Sequence, residues 1–501
     1  MNIQAKITDP RNIVSDSVVV FAWLQKDTPV VLSEEAKGID KACGGRLSEA
    51  IMQEEWKAEI GNTFAMHTHN LITSPKVIVV GCGDLKRIHV SELERISASA
   101  GKAVQAGKAK RTAIVIAEEL TKNEGVTHTV YSLLIGLSLG TYTFDSHKAP
   151  DHTHVPIEEV FVLTRANILN ETVQGIESSA VIRKSVAYVR DLINEPPSVT
   201  TPSYLAKEAQ AIAKNNPSIT CEIFGPKEMK SMGMGGLLGI AQGSDEEPRF
   251  IVLRYKGKTG KTIALAGKGI TFDTGGLSLK SSSGMESMKS DMAGAASLLG
   301  IFQALSVTKP SVSVVGVIAA CENMPSGKAI KPGDIVKTLS GKTIEILNTD
   351  AEGRVVLSDA LSYVVQNVKP KTIIDIATLT GACMVALGTD VAGLFSNNDG
   401  LADALLDASH IEGEDIWRLP LVPGYKKQLK SNVADIKNIS GSKYGGAITA
   451  ALFLEDFIPA DIPWAHIDIA GPSYCEHEHD IYSHGGTGFG VRTILSYLMD
   501  A

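Results

Sequence analysis

Six cysteines in 501 residues, Cys43, Cys82, Cys221, Cys321, Cys383 and Cys475, are too few and too scattered for a disulfide framework, and no C-x-x-C pair occurs. In a chain of this size they suit buried thiols in a reducing compartment. No run of about eighteen apolar residues is present, and Met1 to Arg11 has no apolar core behind a basic start. Membrane insertion and secretion are therefore not expected, and a cytoplasmic location is. Basic charge is not in excess either. Lysine and arginine number 48 against 56 aspartates and glutamates, and the net charge of −8 favours solubility and speaks against a general affinity for nucleic acid. Neither glycine nor proline is extreme, and repeats and low-complexity tracts are missing, which removes the fibrous and disordered classes. What remains is a globular chain long enough for two or three cores.

Apolar runs alternate with helical patterns. Residues 17–24, 76–80 and 112–117 read as strands rich in Val and Ile, with a small-residue helix over 91–108 between the last two. This alternation predicts an α/β domain with a mainly parallel sheet. Gly81-Cys82-Gly83 lacks the third glycine of a dinucleotide loop and reads as a tight turn. After a strand at 158–164, helical spacing over 170–193 stops before Pro196 and Pro197, as a linker helix would. Strand-like runs resume at 250–255, 262–267, 311–320, 343–347, 372–377 and 464–470. Three parts are expected: an N-terminal α/β domain over 1–168, a linker helix over 169–195, and a catalytic domain over 196–501 built on a twisted mixed sheet flanked by helices.

The chemistry concentrates in Asn348-Thr349-Asp350-Ala351-Glu352-Gly353-Arg354, between the 343–347 run and a helix beginning near Val355. Asp350 and Glu352 can converge on one cation there, with the glycine permitting a sharp bend. An ordinary helix N-terminus, whose acids serve the macrodipole, is the alternative. A second stretch, Lys268-Gly269-Ile270-Thr271-Phe272-Asp273-Thr274-Gly275-Gly276 through Lys280, followed by Asp291, tips the balance toward a site. In doubly wound folds ligands bind at the carboxyl ends of strands, which would bring Asp273, Asp291, Asp350 and Glu352 toward one pocket. Four buried carboxylates need cations. Lys268, Lys280 and Arg354 could supply the charge in a purely ionic cluster, or divalent metals could, or both. Carboxylate oxygens suit Zn²⁺, Mn²⁺ or Mg²⁺, and two such ions about 3.5–4 Å apart would make a water nucleophilic near neutral pH. Hydrolysis is the natural outcome.

Those stretches, with Cys321-Glu322-Asn323-Met324-Pro325, Lys331-Pro332-Gly333-Asp334, Ala377-Thr378-Leu379-Thr380-Gly381, Gly445 through Ala450, Asp468 through Gly471 and Thr487 through Gly490, resemble the cytosolic leucyl aminopeptidase family. The likeness spans roughly Asn194 to the C-terminus and is only general before it. It implies two divalent ions per subunit, Zn or Mn with Mg or Co as alternatives, bridged by Asp273 and Glu352. Asp350 would complete one site, and Lys268 with Asp291 the other. Lys268 would have to ligate as a neutral amine; a salt bridge to a carboxylate is the alternative. The resemblance further implies that Lys280 polarises the scissile carbonyl and that Arg354 holds a bicarbonate that shuttles a proton. Met288, Thr378, Leu379, Gly381 and Ala450 would line an apolar pocket for the first side chain, favouring leucine, unless each is simply core. A homohexamer acting on short peptides is implied as well. Val355, Thr274 and Glu286 depart from the family's commonest residues without changing the site's charge.

The pairs His67/His69, His152/His154 and His477/His479 lack further ligands at a recognisable spacing and read as surface histidines. Lys102, Lys108, Lys110 and Arg111 read as a solvated face. A non-catalytic scaffold, including a nucleic-acid binder, would not need the full set of seven charged residues. A two-metal phosphoesterase fits poorly with a lysine ligand and with the lack of histidine near the motifs.

Overall fold

A computed structural model describes residues 1–26, 28–149, 155–479 and 481–501. The chain divides into two compact units, Met1–Arg183 with His477–Ser483, and Lys184–Glu476 with His484–Ala501. The division falls within one continuous helix, Leu169–Asn194, which stops just before Pro196 and Pro197 remove the donors a further turn would need.

The first unit holds a seven-stranded sheet. Its order is Asn2–Lys6, Glu159–Leu163, Arg111–Val115, Ser17–Gln25, Lys76–Gly81 and Thr63–His67, with Thr28–Leu32 paired beside Ser17–Gln25. The pairings from Asn2–Lys6 to Lys76–Gly81 are parallel, and Thr63–His67 and Thr28–Leu32 run antiparallel to their neighbours. Alternate residues of the central strand feed two cores. Val19 and Phe21 pack with Leu93, Ile96 and Val104 of helix Val90–Ala106, whereas Val18 and Val20 pack with Ile39 and Leu47 of helices Glu34–Ala42 and Arg46–Gln53. Burial on both faces is why this strand reads as a continuous apolar run. Each such Val or Phe, fully enclosed, stabilises the unit by roughly 1.5–3 kcal/mol.

The second unit is built on an eight-stranded sheet in the order Ile416–Arg418, Ala392–Ser396, Trp464–Asp468, Thr372–Ala377, Thr262–Asp273, Ser313–Asn323, Arg249–Tyr255 and Ile219–Phe224. Its middle, from Trp464–Asp468 to Ser313–Asn323, is parallel, and antiparallel pairs flank it. The apolar stretch Ser282–Thr308 has the length and hydropathy of a membrane span. It is instead a core element, in three pieces, whose main helix Ala293–Thr308 keeps Ala295, Leu298 and Phe302 wholly buried.

Two expectations about strands are corrected. The strand expected at 262–267 runs on to Asp273, so Lys268 and Asp273 lie within it and not after it. Ser313–Asn323 pairs with it over its full length, with one irregularity between Ile270 and Phe272, and that partner overrides the two glycines and the lysine that break the apolar pattern. The run at 343–347 is no part of the large sheet. Only Thr343–Glu345 is strand, paired antiparallel with Ile335–Lys337 and parallel with Ile436–Lys437 in a separate three-stranded sheet.

Candidate metal centre

Strand Thr262–Asp273 carries two of the candidate residues. Ala264, Ala266, Lys268 and Ile270 share one face by the alternation of the pleat, and the three apolar ones join the core on which helix Gly353–Tyr363 packs. Lys268 therefore points its amine into the interior, where it is 3% exposed. Its Nζ donates to Asp291 Oδ1 at 2.6 Å and to the carbonyl of Thr378 at 2.8 Å, and lies 2.9 Å from Glu352 Oε1. Thr378 Oγ1 donates to the same Asp291 oxygen at 2.7 Å. At the strand's end Asp273 Oδ1 accepts from Gly275 N and from Asn323 Nδ2, both at 2.8 Å. Its other oxygen lies 2.9 Å from Lys280 Nζ, which reaches Asp350 Oδ1 at 2.5 Å. The chain can turn back so tightly because Gly275 sits at φ +83°, where a Cβ would come within 2.8 Å of Asp350 Oδ1.

The loop bearing Asp350 and Glu352 is stitched down on two sides. On one, Thr349 Oγ1 donates to Gly275 O at 2.6 Å and accepts from Ser278 N, while Asn323 Nδ2 donates to Thr349 O at 2.9 Å. On the other, Asn438 holds Leu347 and Asn348. The result brings ligand atoms of Asp273, Asp350 and Glu352 within 4.8 Å of one another, and this is the one such acidic group among the described residues. Lys268 and Asp291 adjoin it through Glu352.

Electrostatics fit a cation site. Burial pushes Asp291 and Glu352 upward, and the charge of Asp273 adds to the push on both, against the pull of Lys268. Asp350 is raised by burial too, with Lys280 opposing. Burial works against the ammonium of Lys268, yet Asp291, Glu352 and Asp273 together outweigh it and hold this lysine above its ordinary range. Lys280 is raised in the same way by Asp273 and Asp350. The ion pair weighed as the alternative for Lys268 is thus what these carboxylates favour by themselves; dications beside it would invert that preference. Asp291 Oδ2 and Glu352 Oε2 are buried without a hydrogen-bond partner. A buried carboxylate oxygen without a donor is costly. Oxygens so aimed, with one amine, are a donor set that hard and borderline divalent ions accept.

Arg354, in the first turn of its helix, is 8% exposed. Nη1 donates to Asn438 O at 3.1 Å, and Nε is buried without a partner. Burial lowers this guanidinium to about 10, against the attraction of Glu352 and Asp468, so it stays charged at neutral pH. The five pocket candidates are less uniform. Thr378 touches Lys268 and Asp291 directly. Leu379 is half-buried, its N–H donating to Asp468 Oδ1 at 3.0 Å, and Met288 is half-buried on the turn Met288–Ser290. Gly381 is exposed at the start of helix Gly381–Leu387, and Ala450 is wholly buried.

Four residues escaped the sequence reading: Asn323, Thr349 and Asn438, which hold the ligand segments, and Asp468, which accepts from Leu379 N and Thr380 Oγ1 beside the carbonyl that meets Lys268. Asn323 and Thr349 lay inside quoted motifs; nothing in the sequence near Asn438 marks it. Among the described residues, His67 and His69 belong to no group of three or more candidate ligands. His477 and His479 likewise belong to no such group among the described residues, and the His152/His154 pair lies outside them. Lys102, Lys110 and Arg111 each meet an acid, Glu478, Glu158 and Asp16, as a solvated face would.

Comparison with known proteins finds likeness over nearly the whole chain. Residues 187–495 match the catalytic domain of the cytosol aminopeptidase family and residues 18–151 match that family's N-terminal domain. Probable cytosol aminopeptidases of Alkaliphilus metalliredigens and Geobacter sulfurreducens are each 41% identical, over 91% and 95% of both chains respectively. Among solved structures, a lysine-to-glutamate mutant of tomato leucine aminopeptidase superposes with a TM-score of 0.88 at 32% identity, covering 100% of this chain and 97% of its own. The bottromycin maturation enzyme BotP in complex with Mn gives 0.85 at 32% identity, covering 97% and 99%.

Proposed function

This chain belongs to the cytosol aminopeptidase family, and we propose that it removes single apolar residues, leucine foremost, from the free N-termini of short peptides by means of two divalent ions. That it is a metal-dependent aminopeptidase follows from the family. The pair of ions, the residue preference and the assignment of roles are our reading. Its chief support is the juxtaposition of Asp273, Asp350 and Glu352 within 4.8 Å, with unpartnered buried oxygens on Glu352 and Asp291 beside them.

In this reading Asp273 and Glu352 would hold both ions, Asp350 would complete one site, and Lys268 with Asp291 the other. Two ions held there supply a Lewis acid for the scissile carbonyl and a water acidic enough to attack near neutral pH. Zn²⁺ or Mn²⁺ are the ions proposed. Lys280, partly exposed beside Asp273 and Asp350, places positive charge where the carbonyl oxygen becomes an oxyanion. Arg354, buried and charged, would hold a small anion, bicarbonate, which would supply a proton-accepting and proton-donating group beside the reacting water. The turn at Thr378 and Leu379, with Met288, Gly381 and Ala450, shapes the apolar pocket. We further propose a cytoplasmic homohexamer, which a solution mass six times the 53.2 kDa chain would support and a monomeric mass would refute.

The decisive assay is hydrolysis of L-leucine p-nitroanilide with Mn²⁺ or Zn²⁺. Activity is expected with added metal, none after chelation, and none from Glu352→Ala. Turnover that survives a chelator would defeat the metal mechanism. Equal turnover of leucyl and glutamyl substrates would defeat the apolar preference.

A further inference from the structure

Strand Ile436–Lys437 pairs in parallel with Ile344 and Glu345, and the ladder makes one more bond where Asn438 N donates to Glu345 O at 3.0 Å. Beyond that point the two backbones part, and the Asn438 side chain takes over the pairing. Its Oδ1 accepts from Leu347 N at 2.8 Å and Asn348 N at 3.4 Å. Its Nδ2 donates to Asn348 O at 2.6 Å and Ala351 O at 3.5 Å. The partners fix the amide's orientation, since turning it over would set oxygen against oxygen at Asn348 and donor against donor at Leu347. The main-chain carbonyl of the same residue accepts from Arg354 Nη1 at 3.1 Å. Asn438 is wholly buried, so water cannot replace any of these bonds without a cavity opening.

We infer that Asn438 is a positioning residue for the peptidase reaction: its carboxamide fixes the 347–351 loop that presents Asp350 and Glu352 to Asp273, and its carbonyl seats Arg354. The inference rests on the proposed metal site. No other residue bonds both the ligand loop, through its side chain, and the guanidinium, through its carbonyl, in the contacts described above, and only a primary amide offers a donor pair and an acceptor in so short a reach. An aspartate in its place would keep the acceptor for Leu347 but set a carboxylate oxygen against Asn348 O. Alanine would remove the partner of Leu347 N, Asn348 N and Ala351 O and leave Asn348 O with only the N–H of Ala351, at 3.3 Å.

The test compares Asn438→Asp and Asn438→Ala with the wild type and with Asp435→Ala. Asp435 ties the far end of the same small sheet, accepting from Thr343 N and Oγ1, both at 2.8 Å, on an exposed edge. Mn²⁺ binding is measured by calorimetry on the folded, chelator-stripped proteins, and kcat and KM on L-leucine p-nitroanilide at saturating Mn²⁺. Both Asn438 variants are expected to bind Mn²⁺ about 10–100-fold more weakly and to lose kcat to a similar extent, with KM within about twofold, the range seen when residues supporting metal ligands are removed. Asp435→Ala is expected to bind and turn over as wild type. Wild-type Mn²⁺ affinity in a folded Asn438→Ala protein overturns the inference, and so does an equal loss in Asp435→Ala, which would mean that the sheet alone matters. A wild type that binds no Mn²⁺ overturns the metal site itself and this inference with it.

Discussion

Gly353 stands so close to Lys268 that a Cβ on it would lie 2.5 Å from Lys268 Cε and 2.8 Å from Nζ. The end of a lysine is normally free to move aside, but this one is held by Asp291, Thr378 and Glu352 and is buried. Gly353→Ala must therefore either displace the amine from its partners or push the helix start away. Overpacking of this kind costs about 1–3 kcal/mol. Reduced Mn²⁺ affinity, with the far-UV spectrum unchanged, is expected; a variant that binds metal as the wild type does would show that the contact relaxes harmlessly.

Glu352 and Arg354 are two residues apart and should fail differently. Glu352→Ala is expected to lose bound metal, read by elemental analysis after dialysis. Arg354→Ala should retain metal and lose kcat on the order of 10²–10³-fold, as for removal of a group that acts on developing charge. Loss of bound metal from Arg354→Ala would contradict the role given to the guanidinium, which holds an anion and no ion of the centre.

The substrate's α-amine must be unprotonated to meet a metal ion, and in peptides it titrates near about 8. The value of kcat/KM should accordingly rise through that pH. An acid-favouring profile, measured at constant metal saturation, would be incompatible with amine coordination.

Asp359, wholly buried, accepts backbone N–H bonds from Leu237 and Leu339, both at 2.8 Å. Burial outweighs those bonds and pushes its carboxyl up from 3.8 to about 7. A raised acid keeps its proton in the folded protein where the unfolded chain has lost it, so its contribution is complete below about pH 4 and falls away as pH climbs through 7. The total is on the order of 4 kcal/mol at 1.36 kcal/mol per unit. Urea unfolding of wild type and Asp359→Asn at several pH values should show the difference between them shrinking over that window. A difference independent of pH would mean that Asp359 is ionised throughout.

The site's charged residues were legible because each lies in a short, compositionally odd stretch: two acids and an arginine around one glycine, and a lysine and an aspartate flanking glycines. Their supports were not. Asn438 reaches the ligand loop only because strand Ile436–Lys437 joins Thr343–Glu345, a pairing no local pattern announces. The same blindness placed 343–347 in the wrong sheet, since an apolar run carries no record of its partner. Strand Ile219–Phe224 was passed over because it has polar residues at Thr220 and Glu222 and pairs on one side only, at the sheet's edge. Among the central strands, buried on both faces, Thr372–Ala377 and Trp464–Asp468 were read with ends within two residues of those observed, whereas Thr262–Asp273 was read six residues short.

The hydrogen bonds that fix the ligand loop reach far along the chain: Asn348 to Asn438 spans 90 residues, Lys268 to Thr378 110, and Asp273 to Asn323 50. A ribosome that has made the chain as far as Lys430 has made every charged group of the centre and the Asn323 side of the loop's support, but not Asn438. Loop closure over such separations is slow. Full competence is therefore expected only once Ile436–Lys437 has joined the small sheet and brought Asn438 to the loop.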